Sequence, residues 1–260
     1  AVPADIEVPP YSSPHAIPFC ETQSAKVMDN NDPEGLGRIK VQFLWQSDDN
    51  TTSPWLRMIT PHAGKEKGFY FIPEIGDEVI VGFEGGNAEK PYVIGSLYHG
   101  KAKPDTLFNS DNNIKAIRTR SGHTIEFIDT DGSEELKIYD HNKENYVITL
   151  ASHSQEIKIE SAGNIDIKAE GDMSMEAVGD LKVKANNISM ESNQDFDMKT
   201  TNMKIDAASE YEAKGTNIKQ EANAQMQMKA GATMDVQASA KMTINGGGLL
   251  EQKGGLIKIN

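Results

Sequence analysis

The residues able to do chemistry are few in this chain and widely scattered. Six histidines, His15, His62, His99, His123, His141 and His153, never fall at the spacing of a metal-ligating pair. Cys20 is the single cysteine, so it cannot close an internal disulfide, and stability must come from packing or association. Glu134 and Glu135 stand side by side and could imitate a pair of glycosidase carboxylates, but no pocket-forming sequence accompanies them and they read as solvated charge. Nine of the eleven methionines (Met173, Met175, Met190, Met198, Met203, Met226, Met228, Met234 and Met242) lie in the last hundred residues. A soft-metal path is one reading of them. The other, favoured here, is that methionine fills crowded apolar space where stiffer side chains would clash. These patterns predict no catalytic residue, no metal and no cofactor.

The elements that hold those residues divide the 260-residue chain into four zones. Only 37% of it is hydrophobic, thin for a compact globule of that size, and the formal charge of −13 disfavours nucleic acid phosphates and anionic lipid surfaces as partners. Neither an export signal nor a membrane anchor is predicted. Residues 1–23 are Pro-rich and read as an extended N-terminal arm, and the initial Ala suggests a fragment or a processed product. Over 24–100 five strand-like runs occur: GRIKVQF, PWLRMIT, GFYFIP, DEVIVGF and PYVIGSL, with Gly- and Pro-rich punctuation between them. In the first, Ile39, Val41 and Phe43 alternate with Arg38, Lys40 and Gln42, the pattern of a half-buried strand. Five short strands suit a small barrel of the oligonucleotide-binding (OB) shape. Its aromatics, Trp45, Trp55, Phe69, Tyr70 and Phe71, sit near acidic side chains, so core packing is expected of them rather than base stacking. Residues 101–156 read as a linker and a hairpin-like junction, HTIEFI and ELKIYD around DTDGSE.

The fourth zone, 157–260, is an internal repeat. Apolar pairs fall at 157/159, 165/167, 173/175, 181/183, 188/190, 196/198, 203/205, 211/213, 218/220, 226/228, 234/236 and 242/244, each seven or eight residues after the last, and only Ala213 and Gln220 depart from large apolar types. The residue inside every pair is polar. On a helix, positions i and i+2 lie about 200° apart and would bury nothing together; on a strand they share a face. Two apolar side chains per strand cannot enclose a dry core in one chain, whereas three chains wound together can. The expected fold is therefore all-β: a small OB-like barrel followed by a triple-stranded intertwined β-helix, a homotrimeric prism. Its core would hold Ile165, Ile167, Met173, Met175, Leu181, Val183, Ile188, Met190, Met226 and Met228. The residue after each pair alternates in sign, Glu160, Lys168, Glu176, Lys184, Glu191, Lys199, Asp206, Lys214, Glu221, Lys229. With strands of neighbouring chains stacked about 4.8 Å apart, that alternation reads as an inter-chain charge ladder fixing register. A mixed-charge solvated face is the plainer alternative.

GLGRIKVQF, SPWLRMITPHAGKEKGFYFIPEIGDEVIVGF and EKPYVIGSLYHG closely resemble the barrel of VgrG, the spike protein of type VI secretion systems. TRSGHTIEFIDTDGSEELKIYD resembles the start of that family's β-helix, and the repeats resemble its trimeric needle, which contractile phage tail spikes share. The resemblance implies a non-enzymatic, membrane-puncturing spike, assembled in the bacterial cytoplasm and then secreted by the injection machine into the medium or target cell, in transient contact with the target membrane. It implies a PAAR-like tip protein docked at the C-terminal end, on Leu256, Ile257, Lys258, Ile259 and Asn260, and effectors carried with it. The family's Hcp-like secretion tube and the baseplate would be held through N-terminal hub domains that this sequence does not contain. Alternatives are the central spike of a contractile phage tail or extracellular injection particle and, from different classes, a trimeric β-helical polysaccharide-degrading enzyme or a nucleic-acid-binding barrel with a fibrous tail.

Overall fold

The computed structural model of the chain describes residues 19–46 and 51–259. Most of the expected N-terminal arm, including His15, lies outside the described residues, as does Asn260. The chain divides into two compact units, Ala1–Met175 and Glu176–Asn260. Its regular structure is almost wholly β, and among the described residues no helix is long and apolar enough to cross a membrane.

The first unit opens with a barrel. Strand β1 (Gln23–Asp29) runs between β2 (Lys40–Phe43) and β5 (Glu78–Phe83), and β6 (Pro91–Ser96) lies outside β5, all antiparallel. The segment around Leu56 and Met58 closes the ring: Leu56 and Ile39 exchange both backbone hydrogen bonds, while Val93 donates to Arg57 and accepts from Ile59. PWLRMIT is thus a closing stave held at both edges, too irregular to be a full strand. Inside, Val27, Ile39, Val41, Val79, Val81 and Val93 are completely buried, joined by Ala25, Phe43 and Leu56. The alternation read in 37–43 is the observed one.

Two expectations for the barrel are corrected. GFYFIP is not a strand: only Gly68 takes part, in the two-residue β4 (Lys67–Gly68), which pairs with β3 (Ala63–Gly64). The barrel's aromatics do not fill the core either; Trp45, Phe69, Tyr70 and Phe71 are each more than half exposed. Six small β-branched side chains already fill so narrow a ring. Among the described residues of the barrel the one buried aromatic is Phe43, stacked between Trp45 (5.5 Å) and Phe83 (6.2 Å).

The DPEGLG stretch before β2 is more than a spacer. The Asp32 carboxylate accepts the N–H groups of Glu34, Leu36 and Arg38, and the Arg38 guanidinium donates to both its oxygens at 2.7 and 2.9 Å. Those charged and neutral donors hold the Asp32 carboxyl far below the usual carboxylate range, Arg38 foremost.

After the barrel the chain folds back and forth as five adjacent antiparallel strands: β7 (Ile114–Arg118), β8 (Thr124–Ile128), β9 (Glu135–Tyr139), β10 (Tyr146–Ala151) and β11 (Glu156–Ser161). The hairpin expected around DTDGSE is β8–β9, turning at Asp131 and Gly132, where Gly132 takes φ +69°. The first of the twelve apolar pairs, Ile157 and Ile159, lies in this meander: β11 pairs along its whole length with β10, after a reversal at Ser152–Gln155. Arg120, in the β7–β8 turn, pairs with Glu74 of the barrel at 2.8 Å.

Candidate assembly site

The residues with chemical potential do not converge. Glu134 and Glu135 are engaged separately, Glu134 accepting from the Gly132 N–H and Glu135 pairing with Lys137, which holds the Glu135 carboxyl below its ordinary range. His123 meets the Tyr146 hydroxyl at 2.9 Å and stacks on its ring, and His99 accepts from the Lys101 N–H. Among the described residues no group of three His, Cys, Asp or Glu side chains could hold a metal ion. The barrel carries an open groove whose lining includes Leu36, Arg57, Thr60, His62, Glu66 and Tyr70.

The repeat is where the unusual physics lies. Every residue from Ser152 to Ile259 is exposed, and beyond Ser161 there is no regular secondary structure. Among the described residues, no backbone-to-backbone hydrogen bond is made between the one that ties Ala162 to Asn145 and the one that joins Leu249 to Gly246. The large apolar members of the twelve pairs stand 45 to 75% exposed, Met242 least and Ile167 most. That includes all ten expected core residues, from Ile165 and Ile167 through Met226 and Met228. Burying one such side chain is worth about 1.5–3 kcal/mol, and burying the backbone with it would require each polar group to find a partner.

The ladder residues are equally exposed. Four of the ten make ion pairs two residues away along the chain: Glu160 with Lys158 (2.8 Å), Asp206 with Lys204 (3.7 Å), Lys214 with Glu212 (2.6 Å) and Glu221 with Lys219 (3.1 Å). Glu160 pushes the Lys158 ammonium up from its ordinary value. The residue inside each apolar pair forms a second column of charge, of opposite sign to the first in these four repeats. Lys168, Glu176, Lys184, Glu191, Lys199 and Lys229 are exposed along the same column. At the C-terminal end Leu256, Ile257 and Ile259 are exposed, Lys258 with them, and Asn260 lies outside the described residues.

Residues 23–98, which contain all the barrel strands, match the family described as the type VI secretion system/phage-baseplate injector OB domain. The chain is 34% identical over 128 residues to the type VI secretion system spike protein VgrG5 of Pseudomonas aeruginosa, a match covering 48% of this chain and 15% of that protein. It is 33% identical over 131 residues to spike protein VgrG1a of the same organism, covering 45% and 20%. To the actin cross-linking toxin VgrG1 of Vibrio cholerae it is 31% identical over 137 residues, covering 48% and 12%. The chain resembles the VgrG-type spikes. The match spans a fifth or less of those VgrG proteins' own lengths. In the VgrG-like barrel the family match and the buried Val and Ile ring fall on the same strands.

Proposed function

We propose that this chain is the barrel-and-needle part of a homotrimeric spike of a type VI secretion system, a structural puncturing device and not an enzyme. The observation that carries the proposal is the run of exposed apolar pairs from Ile157 to Ile244, with unpaired backbone from the second pair onward, behind an injector OB barrel. Three copies wound together would turn each pair inward and give every strand a neighbour. At about 4.8 Å of rise per strand, twelve strands give a needle on the order of 55–60 Å. In this reading the spike concentrates contraction force on a target envelope and carries a PAAR-like tip protein and effectors. Hcp-like tube and baseplate would be engaged through hub domains outside this chain. It is assembled in the cytoplasm and secreted by firing. The zones 24–100, 101–156 and 157–260 would be barrel, junction and needle, with β11 the strand at which the junction sheet becomes the first needle layer.

The family description also names the phage baseplate, so the same object as a phage tail spike is the second reading; neighbouring sheath and tube genes of one system or the other separate them. Sedimentation equilibrium of the intact chain tests the architecture: a trimer is expected, and a monomer or dimer overturns it. Release of reducing sugar from envelope polysaccharide by the trimer would overturn the non-enzymatic part alone.

A further inference from the structure

Asn245 is the one asparagine of the chain that is followed by glycine, and it stands where the repeat ends, directly after Ile244 of the last apolar pair. Every other asparagine before the C-terminus precedes a residue whose side chain crowds the next backbone nitrogen. The structure prepares this dipeptide for a reaction with itself. The Gly247 N–H donates to the Asn245 Oδ1 at 3.0 Å, which holds the carboxamide beside the peptide unit that follows and draws electron density from its carbon. The Gly246 nitrogen lies between the two bonded residues; among the described residues it has no backbone acceptor, and it carries no Cβ to hinder it. Residues 245–248 are all exposed. The turn itself requires glycine at 246, since the Gly246 carbonyl accepts from Leu249 at 3.3 Å and a Cβ at 246 would meet the Leu249 carbonyl oxygen at 2.6 Å. The fold thus keeps an unhindered amide next to a polarised carboxamide.

We propose that Asn245 is a site of spontaneous covalent modification, an intramolecular deamidation that marks the base of the proposed tip with age. The Gly246 nitrogen loses its proton to solvent and bonds to the Asn245 Cγ. The Cγ–Nδ2 bond breaks, the leaving nitrogen takes a proton, and ammonia departs from a five-membered succinimide. Water then opens the ring and returns a proton to the Gly246 nitrogen: cleavage at Cγ gives aspartate, and cleavage at the main-chain carbonyl carbon of residue 245 gives isoaspartate. Water is the one co-reactant, and nothing is oxidised or reduced. The two products differ in what they do to the turn. Aspartate keeps an oxygen for the Gly247 N–H, whereas isoaspartate routes the main chain through the side-chain carbon and adds a methylene between Ile244 and the turn at 246–249. Either product places a carboxylate in the charge column, whose positions after Lys229 are the uncharged Gln237 and Asn245. The modification needs no second chain. Its consequence rests on the trimeric reading, in which three carboxylates would gather at one level where the repeat gives way to the tip.

Incubation of the intact chain in mildly alkaline buffer tests this, with peptide mass mapping at intervals and sedimentation of the same samples. The peptide holding Asn245 should lose its carboxamide at least ~10-fold faster than any peptide holding another asparagine, because only there is the attacking nitrogen unhindered. An isoaspartyl methyltransferase used as a reagent should label that peptide. Asn245→Gln, which would have to close a larger ring, and Asn245→Ser, which keeps an acceptor for the Gly247 N–H, should both abolish the labelling and sediment as wild type. Loss of ammonia from Asn245 no faster than from Asn193 or Asn217 would overturn the proposal, and so would labelling that survives in Asn245→Gln. Conversion that is fast in urea and slow in the folded chain would overturn it as well, by showing that the fold protects the dipeptide. A monomer that converts Asn245 at the expected rate would keep the proposal and overturn the trimeric reading.

Discussion

The bond set around Asp32 makes a pH prediction with a definite sign. Its carboxyl is held low in the fold, so its contribution is complete above the ordinary aspartate range and fades as pH falls below about 4 toward the depressed value. Asp32→Asn, which loses the guanidinium pair while keeping the shape, should therefore melt below wild type at pH 7, with the gap closing toward pH 3; a gap that is constant with pH would assign the effect to the loop alone. Ile39, fully buried and bonded through its backbone to Leu56, belongs to the ring itself. Ile39→Ala should cost about 2–5 kcal/mol by denaturant melting. At the needle, Met190→Asp would bring three carboxylates into a dry axis, where unpaired charge costs several kcal/mol, and the trimer should dissociate or fail to form. Ser189→Asp, one residue away, faces outward in this scheme and should leave the sedimentation profile unchanged. Equal effects at 189 and 190 would refute the inward-outward assignment.

At the scale of elements, the strands with strong alternation were legible and those without it were not. Residues 37–43 announce β2 through Ile39, Val41 and Phe43, whereas β1, the central strand of the barrel sheet, offers inward only Ala25 and Val27 and escapes notice. GFYFIP misleads in the other direction: its apolar density is real, but its first residue is spent in the tight β3–β4 hairpin and the rest joins no sheet. The meander shows the limit of one-dimensional reading. Each of its strands alternates visibly, yet only the register reveals that five isoleucines share a row, and only burial reveals which face is open. The charge columns are legible as sequence, and they make their own prediction. Replacing Lys184 and Lys199 with Glu would stack acids from Glu176 to Asp206 across chain boundaries, and adding Glu191→Lys should restore alternation. Trimer yield should fall in the double variant and partly recover in the triple, most clearly at low salt, because exposed pairs are screened. Yields indifferent to all three changes would reduce the alternation to a solvated face.

For the whole molecule the proposed tip is the simplest surface to remove. Gly246–Gly248 and Gly254–Gly255 interrupt the repeat before LIKIN, and deletion of 254–260 should leave a trimer that no longer co-purifies with a PAAR-like partner, at any salt concentration. A truncated needle that keeps its partner would place docking elsewhere. The want of in-chain backbone bonds between Ala162 and Gly246 reaches beyond shape. On the trimeric reading this segment has no folding reaction of its own: its rate depends on how often three chains meet, and its reversal requires three chains to part together. On the trimeric reading, refolding from denaturant should slow steeply on dilution while unfolding should not, so the refolding and unfolding curves separate into a hysteresis loop that widens as protein concentration falls. A needle governed this way is durable because of the route back, and its lifetime after firing would be set by an unfolding barrier rather than by an equilibrium.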